Sequence, residues 1–102
     1  LLDDRPEVGE RFALAMLEAV GQYRKGKTPR NLEIIEAASR LSSEQVATAC
    51  WPYMSPDGRI DTSYFREYQE WNVARGLVDR VLEDDELFDL RFIEHANARL
   101  NQ

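Results

Sequence analysis

Apolar residues in this chain recur every three or four positions and nowhere alternate one by one over the length of a strand, a pattern that restricts the fold to helices. Five helical stretches are predicted. The first runs from about Pro6 to Arg24: Asp3 and Asp4 are placed to cap it, Pro6 suits the first turn, and Glu7 sits at the positive end of the dipole. Val8, Phe12, Ala15, Leu17, Ala19, Val20 and Tyr23 give it an apolar stripe, and Lys25-Gly26-Lys27 stops it. Thr28-Pro29 or Asn31 opens a second helix to about Arg40, with Ile34, Ile35, Ala38 and Leu41 on the inner face. Ser42 with Gln45 has the spacing of a capping box and starts a third helix, ending near Trp51.

Pro52 and the turn Ser55-Pro56-Asp57-Gly58 break the pattern, because proline presets φ and Asp-Gly tolerates a positive one. Asp61 or Thr62 caps a fourth helix to about Arg75, with Phe65, Tyr68, Trp71 and Asn72 at helical spacing. Gly76 reads as a left-handed stop with Leu77-Val78 as a hydrophobic clasp. An acidic patch, Glu83 to Glu86, precedes a fifth helix from about Leu90 to Leu100, capped by Asp89, with Phe92, Ile93, Ala96 and Leu100 inward. The expectation is an all-α chain forming one helical unit over residues 1–102.

Length and charge narrow the roles open to it. The 102 residues suffice for one domain, and 43% apolar with 31% charged residues is a globular composition, not a disordered one. The net charge of −6 repels phosphate backbones and anionic membranes. The one basic cluster, Arg24, Lys25, Lys27 and Arg30, reads as a solvated loop at a helix C-terminus. With Cys50 as the single cysteine no internal disulfide forms, and no apolar run approaches the roughly 20 residues a bilayer requires. The chain starts at Leu1 without a signal peptide and enters a helix almost at once, which reads as a cut from a longer polypeptide.

Chemistry-bearing constellations are scarce. His95 is the sole histidine and reads as a rim residue beside Glu94, not a general base; Cys50, four residues after Val46 on an apolar face, reads as a buried small hydrophobe. The acids Asp84, Asp85, Glu86 and Asp89, and the segment Asp57-Gly58-Arg59-Ile60-Asp61, lack the spacing of a calcium loop, and helix capping accounts for both. Trp51, Tyr53, Tyr64, Phe65, Tyr68 and Trp71 either line a cleft or build the core; their helical spacing favours core. Leu32 to Cys50 has the outline of a helix-turn-helix, yet its second helix offers Glu44, Gln45 and Thr48 and no lysine or arginine to meet phosphate. No catalytic or metal-ligating residue, cofactor or nucleic-acid partner is therefore expected, and the chain is expected not to be an enzyme.

Five stretches carry a resemblance. Residues Pro6 to Ala15 open the chain; Asp57-Gly58-Arg59-Ile60-Asp61, Gln69-Glu70-Trp71 and Arg75-Gly76-Leu77-Val78 follow; Asp89-Leu90-Arg91-Phe92-Ile93-Glu94-His95-Ala96 closes it. In order and spacing they resemble the C-terminal portion of substrate-binding proteins of ABC importers, of the nitrate/sulfonate/taurine type. Proteins related to thiamine-pyrimidine precursor synthesis share that superfamily. The resemblance implies a two-lobed α/β protein, periplasmic or extracellular, that closes on a small molecule and delivers it to a membrane permease. It implies that the ligand is held mainly by upstream lobes, so ligand-binding residues within this chain are unknown. The helical segment alone is then left with uncovered apolar faces, met either by the missing part of the source protein or by pairing with itself or with another chain. A small acidic protein-interaction module is the alternative reading; a helix-turn-helix regulator and an enzyme of the thiamine-precursor branch are lesser ones.

Overall fold

The computed structural model describes residues 2–101; Leu1, read above as the edge of a cut, lies outside them. Six helices follow one another: α1 Pro6–Tyr23, α2 Pro29–Ala38, α3 Ser43–Thr48, α4 Ser63–Ala74, α5 Asp84–Leu87 and α6 Arg91–Leu100. Among the described residues there is no strand. The fold is all-α. The sixth helix is the single turn α5, which forms within the acidic patch because Glu86 accepts from the backbone N–H of Glu83 at 2.9 Å.

Several terminators work as their residues dictate. Thr28 caps α2 and the Ser42–Gln45 capping box starts α3. At the end of α4, Leu77 N–H reaches Asn72 O at 3.0 Å and Gly76 N–H reaches Val73 O at 2.9 Å. That double bond pattern needs the left-handed backbone of Gly76, φ +69°. Other expectations are corrected. Arg5, not Asp3 or Asp4, occupies the N-cap of α1, without a side-chain cap. Thr62, one of the two expected caps, occupies the N-cap of α4 and Leu90 that of α6, neither with a side-chain cap bond, while Asp61 and Asp89 accept from the backbone N–H groups of Ser63 and Arg91 two residues on. The α3 helix ends at Thr48, short of Trp51, and Leu77 and Val78 form no buried clasp, both being exposed.

The main packing is α1 against α6, with α2 against α3 as a second pair. Gly9, Ala13 and Leu17, four residues apart, form the buried edge of α1, and Ala96 is the fully buried residue of α6. Glycine at position 9 lets the helices approach closely: a Cβ there would lie 2.5 Å from Cε1 of Phe92. The Ser55–Gly58 turn, closed by Gly58 N–H to Ser55 O at 3.1 Å, seats on this pair. Asn97 Nδ2 donates to Asp57 O at 2.8 Å, and a Cβ on Gly58 (φ +65°) would lie 2.7 Å from both Leu17 and Ile93.

The buried edge is narrower than the apolar stripe of α1. Phe12, Ala15 and Ala19 are exposed, because α6 meets the small-residue side and leaves the rest of the stripe bare. On α2 and α6 the expectation fails similarly: Ile34, Ala38, Leu41 and Leu100 are exposed. The residue that α2 does bury is polar. Asn31 reaches back to the end of α1, its Nδ2 donating to Gln22 O at 2.8 Å and Gly26 O at 2.7 Å while its Oδ1 accepts from Gln22 Nε2 at 2.9 Å. It adds a second hydrogen bond to carbonyls that already accept from Lys25 N–H and Thr28 N–H, and so ties the start of α2 to the end of α1.

The outcome is an open chain. Its radius of gyration is 17.8 Å, against about 13 Å for a compact domain of this length. Its surface is 8058 Å², against roughly 5,900 Å² for a compact monomer of this mass.

Candidate functional site

An almost wholly apolar groove of about 340 Å³ lies between α1 and α2, walled by Met16, Val20, Tyr23, Ile34, Ile35 and Met54. It exists because the bare half of the α1 stripe faces the uncovered side of α2. Its base is fixed from below. Tyr23 stacks on Trp51 with ring centroids 5.2 Å apart, the Tyr23 hydroxyl donates to Pro52 O at 2.8 Å, and Trp51 Nε1 donates to Val46 O at 3.1 Å. Arg24 donates to Met54 O at 2.8 Å and holds that wall in place. The two amides that line the groove, Gln22 and Asn31, already have partners: they bond to each other, and Asn31 also donates to Gln22 O and Gly26 O. Such a site accepts apolar surface; it holds no acid, base or nucleophile to transform what it accepts.

A second surface lies on α4. Tyr64, Tyr68 and Trp71 are 71%, 65% and 48% exposed. Tyr68 and Trp71 stack with centroids 6.1 Å apart and planes 11° from parallel, and the Arg75 guanidinium lies 4.1 Å from the Trp71 ring centroid. The opposite side of α4 is tied to, and half-covered by, the chain's own 82–88 segment. Gln69 exchanges two hydrogen bonds with the backbone of Leu82, Arg66 pairs with Glu83 at 2.8 Å, Thr62 donates to Asp84 at 2.8 Å, and Phe65 meets Phe88 edge-on at 5.1 Å.

This placement overturns the core reading of the aromatic set. Of Trp51, Tyr53, Tyr64, Phe65, Tyr68 and Trp71 only Trp51 is half-buried; Tyr53 is 79% exposed, and α4 buries no residue. Helical spacing reports a shared face and says nothing of whether that face has a partner. Cys50 is likewise exposed, since α3 ends before it and the chain turns away extended.

The titratable candidates are spread over the structure. His95 is half-buried on α6 with Nδ1 3.8 Å from Glu10 of α1, so its neighbour is across the helix pair and not Glu94. Glu86 is held by both Arg80 guanidinium nitrogens at 2.9 and 2.7 Å, and this partner with the Glu83 N–H pushes its carboxyl down to about 2. Arg91 clasps Asp89 at 2.6 Å and lowers its carboxyl; the Ser55 hydroxyl and Arg59 N–H lower that of Asp57, and Ser63 lowers that of Asp61. Each depressed carboxyl has a local structural partner. Among the described residues no group of three or more His, Cys, Asp or Glu converges on one point.

The basic cluster has structural work. Lys27 Nζ caps the end of α3 by donating to Ala47 O and Ala49 O, Lys25 reaches Gln22, and Arg30 pairs with Glu33 at 2.9 Å. The α2–α3 pair therefore presents a six-residue second helix with no cation on it. Among the described residues no helix is long and apolar enough to cross a membrane. The α4 aromatics stand out in the sequence, but their spacing reads as core; the α1–α2 groove does not stand out, and its usable signal is an apolar stripe on α1 too wide for one partner helix. Comparison with protein-family models, with curated proteins and with solved structures finds no match.

Proposed function

We propose that the chain is the helical C-terminal part of a solute-binding protein of the nitrate/sulfonate/taurine type, which captures a small molecule outside the cytoplasm and passes it to an ABC permease. The observation that supports the reading is the bare apolar flank: the α1–α2 groove and the exposed Phe12 and Ile34 leave an apolar face without the second layer that helices ordinarily pack on. Three of the stretches that resemble the importer proteins also meet in space. Gly9 lies under Phe92, and the Asp57-Gly58 turn lies on Leu17, Ile93 and Asn97. In this reading the solute is bound by upstream α/β lobes, and the chain stabilises them without touching it.

The sequence upstream of Leu1 in the source gene tests the proposal. An export signal followed by alternating strand and helix segments is expected; an initiation codon immediately before Leu1 overturns it. With the lobes in hand, a thermal-shift panel of organosulfonates, nitrate and aminopyrimidines should raise the melting temperature of the full-length protein for at least one class. A second reading, a small acidic interaction module, is favoured by one separate observation, the exposed aromatic stripe of α4.

A further inference from the structure

We infer that α4 is a dimerisation helix: two copies of this chain pack their α4 helices antiparallel across a two-fold axis, Tyr68 of each against Trp71 of the other. The inference is independent of the transport reading.

Tyr64, Tyr68, Trp71 and Arg75 follow one another at intervals of four, three and four residues, which at 3.6 residues per turn keeps them within an arc of about 60°. The interval pattern reads identically from either end. A two-fold interface demands this self-complementarity, since whenever one residue touches a second, the second must touch the first. Antiparallel pairing about the midpoint sets Tyr68 against Trp71 and Tyr64 against Arg75, two aromatic contacts and two cation–aromatic contacts.

The surface relief agrees. Tyr64, Glu67, Tyr68 and Trp71 enclose a shallow hollow, and their relation of i, i+3, i+4 and i+7 is that of the socket that receives a side chain from a facing helix. The charges select the direction. Glu67 flanks the N-terminal part of the stripe and Arg75 its C-terminal end, so antiparallel pairing brings unlike charges together, whereas parallel pairing opposes Glu67 to Glu67 and Arg75 to Arg75.

The order of the stripe completes the case. The far side of α4 is pinned by Gln69, Arg66 and Thr62 to the chain's own 82–84 segment, so the stripe is the face left for another molecule. Its rings are already stacked with Arg75 over Trp71, which lowers the ordering cost of association.

Sedimentation equilibrium in the micromolar range tests this with wild type, Glu67→Arg, Arg75→Glu and an equimolar mixture of the two variants. Wild type is expected to dimerise. Each variant alone faces like charges at both symmetric contacts and should dimerise roughly tenfold to a hundredfold more weakly. The mixture restores both unlike pairs and should recover wild-type affinity as a heterodimer. A monomeric wild type overturns the inference, as do single variants that dimerise undiminished or a mixture that stays monomeric. Circular dichroism verifies the helices; should either variant lose them, Tyr68→Lys replaces it, and an undiminished Tyr68→Lys dimer also overturns the inference.

Discussion

The α1–α6 junction and α4 are built from equally regular amphipathic sequence, yet one is closed and the other open. At the junction, Gly9, Ala13, Leu17 and Ala96 are small or well-shaped enough for two helices to meet, and the Ser55–Gly58 turn plugs the remaining gap. On α4 the stripe is made of Tyr64, Tyr68 and Trp71, rings that no other helix of the chain covers. Periodicity sets which face is apolar; the size of the residues on that face, and the supply of a partner, set whether it is buried.

Substitutions at the junction should break the contrast most severely. Leu17→Ala is expected to cost about 3 kcal/mol by leaving a void beside Gly58 and Ile93, and Gly9→Val a similar amount by driving a side chain into the Phe92 ring. Urea denaturation checks both; loss below about 0.5 kcal/mol would show that α1 and α6 are not the stabilising pair. Next comes Asn31→Leu, which removes the buried amide's hydrogen bonds to Gln22 and Gly26 and leaves Gln22 Nε2 without this acceptor; it should cost about 2 kcal/mol in the same assay.

Effects at α4 should be smaller. Gly76→Val meets no neighbouring atom, so only its left-handed backbone resists, at about 1–2 kcal/mol. Trp71→Ala should lower stability by less than about 1 kcal/mol in the monomer, although a buried tryptophan would cost about 3–5 kcal/mol. The smallest effect concerns pH. The Arg80 clasp holds the Glu86 carboxyl down to about 2, so its contribution is complete above the ordinary carboxylate value of about 4.3 and is lost progressively as pH falls from there through about 2. An NMR titration should place the Glu86 midpoint near 2, moving back to the ordinary range in Arg80→Gln; an ordinary midpoint in the wild type would mean that the clasp does not form in solution.

The sequence makes some of this legible and hides the rest for identifiable reasons. Helix starts at Thr28 and Ser42 and the stop at Gly76 were readable because each rests on a bond between residues a few positions apart. The all-α class was readable from periodicity. Burial was not. Phe12 and Trp71 belong to apolar stripes but lie exposed, since burial depends on what stands opposite and a stripe carries no record of that. Cys50 was misplaced by extending α3 too far; Lys27, twenty residues before Ala47, caps that helix from a distance no local pattern reveals. Buried Asn31 was hidden similarly, because its partners sit on the previous helix.

Small-angle X-ray scattering extrapolated to low concentration addresses the central claim, that this chain does not close over its own apolar surface. The account predicts a radius of gyration near 17.8 Å for the single chain, rising if copies pair through α4. A value near the roughly 13 Å of a compact domain would contradict it, because α4 would then have folded down onto α1 and α2.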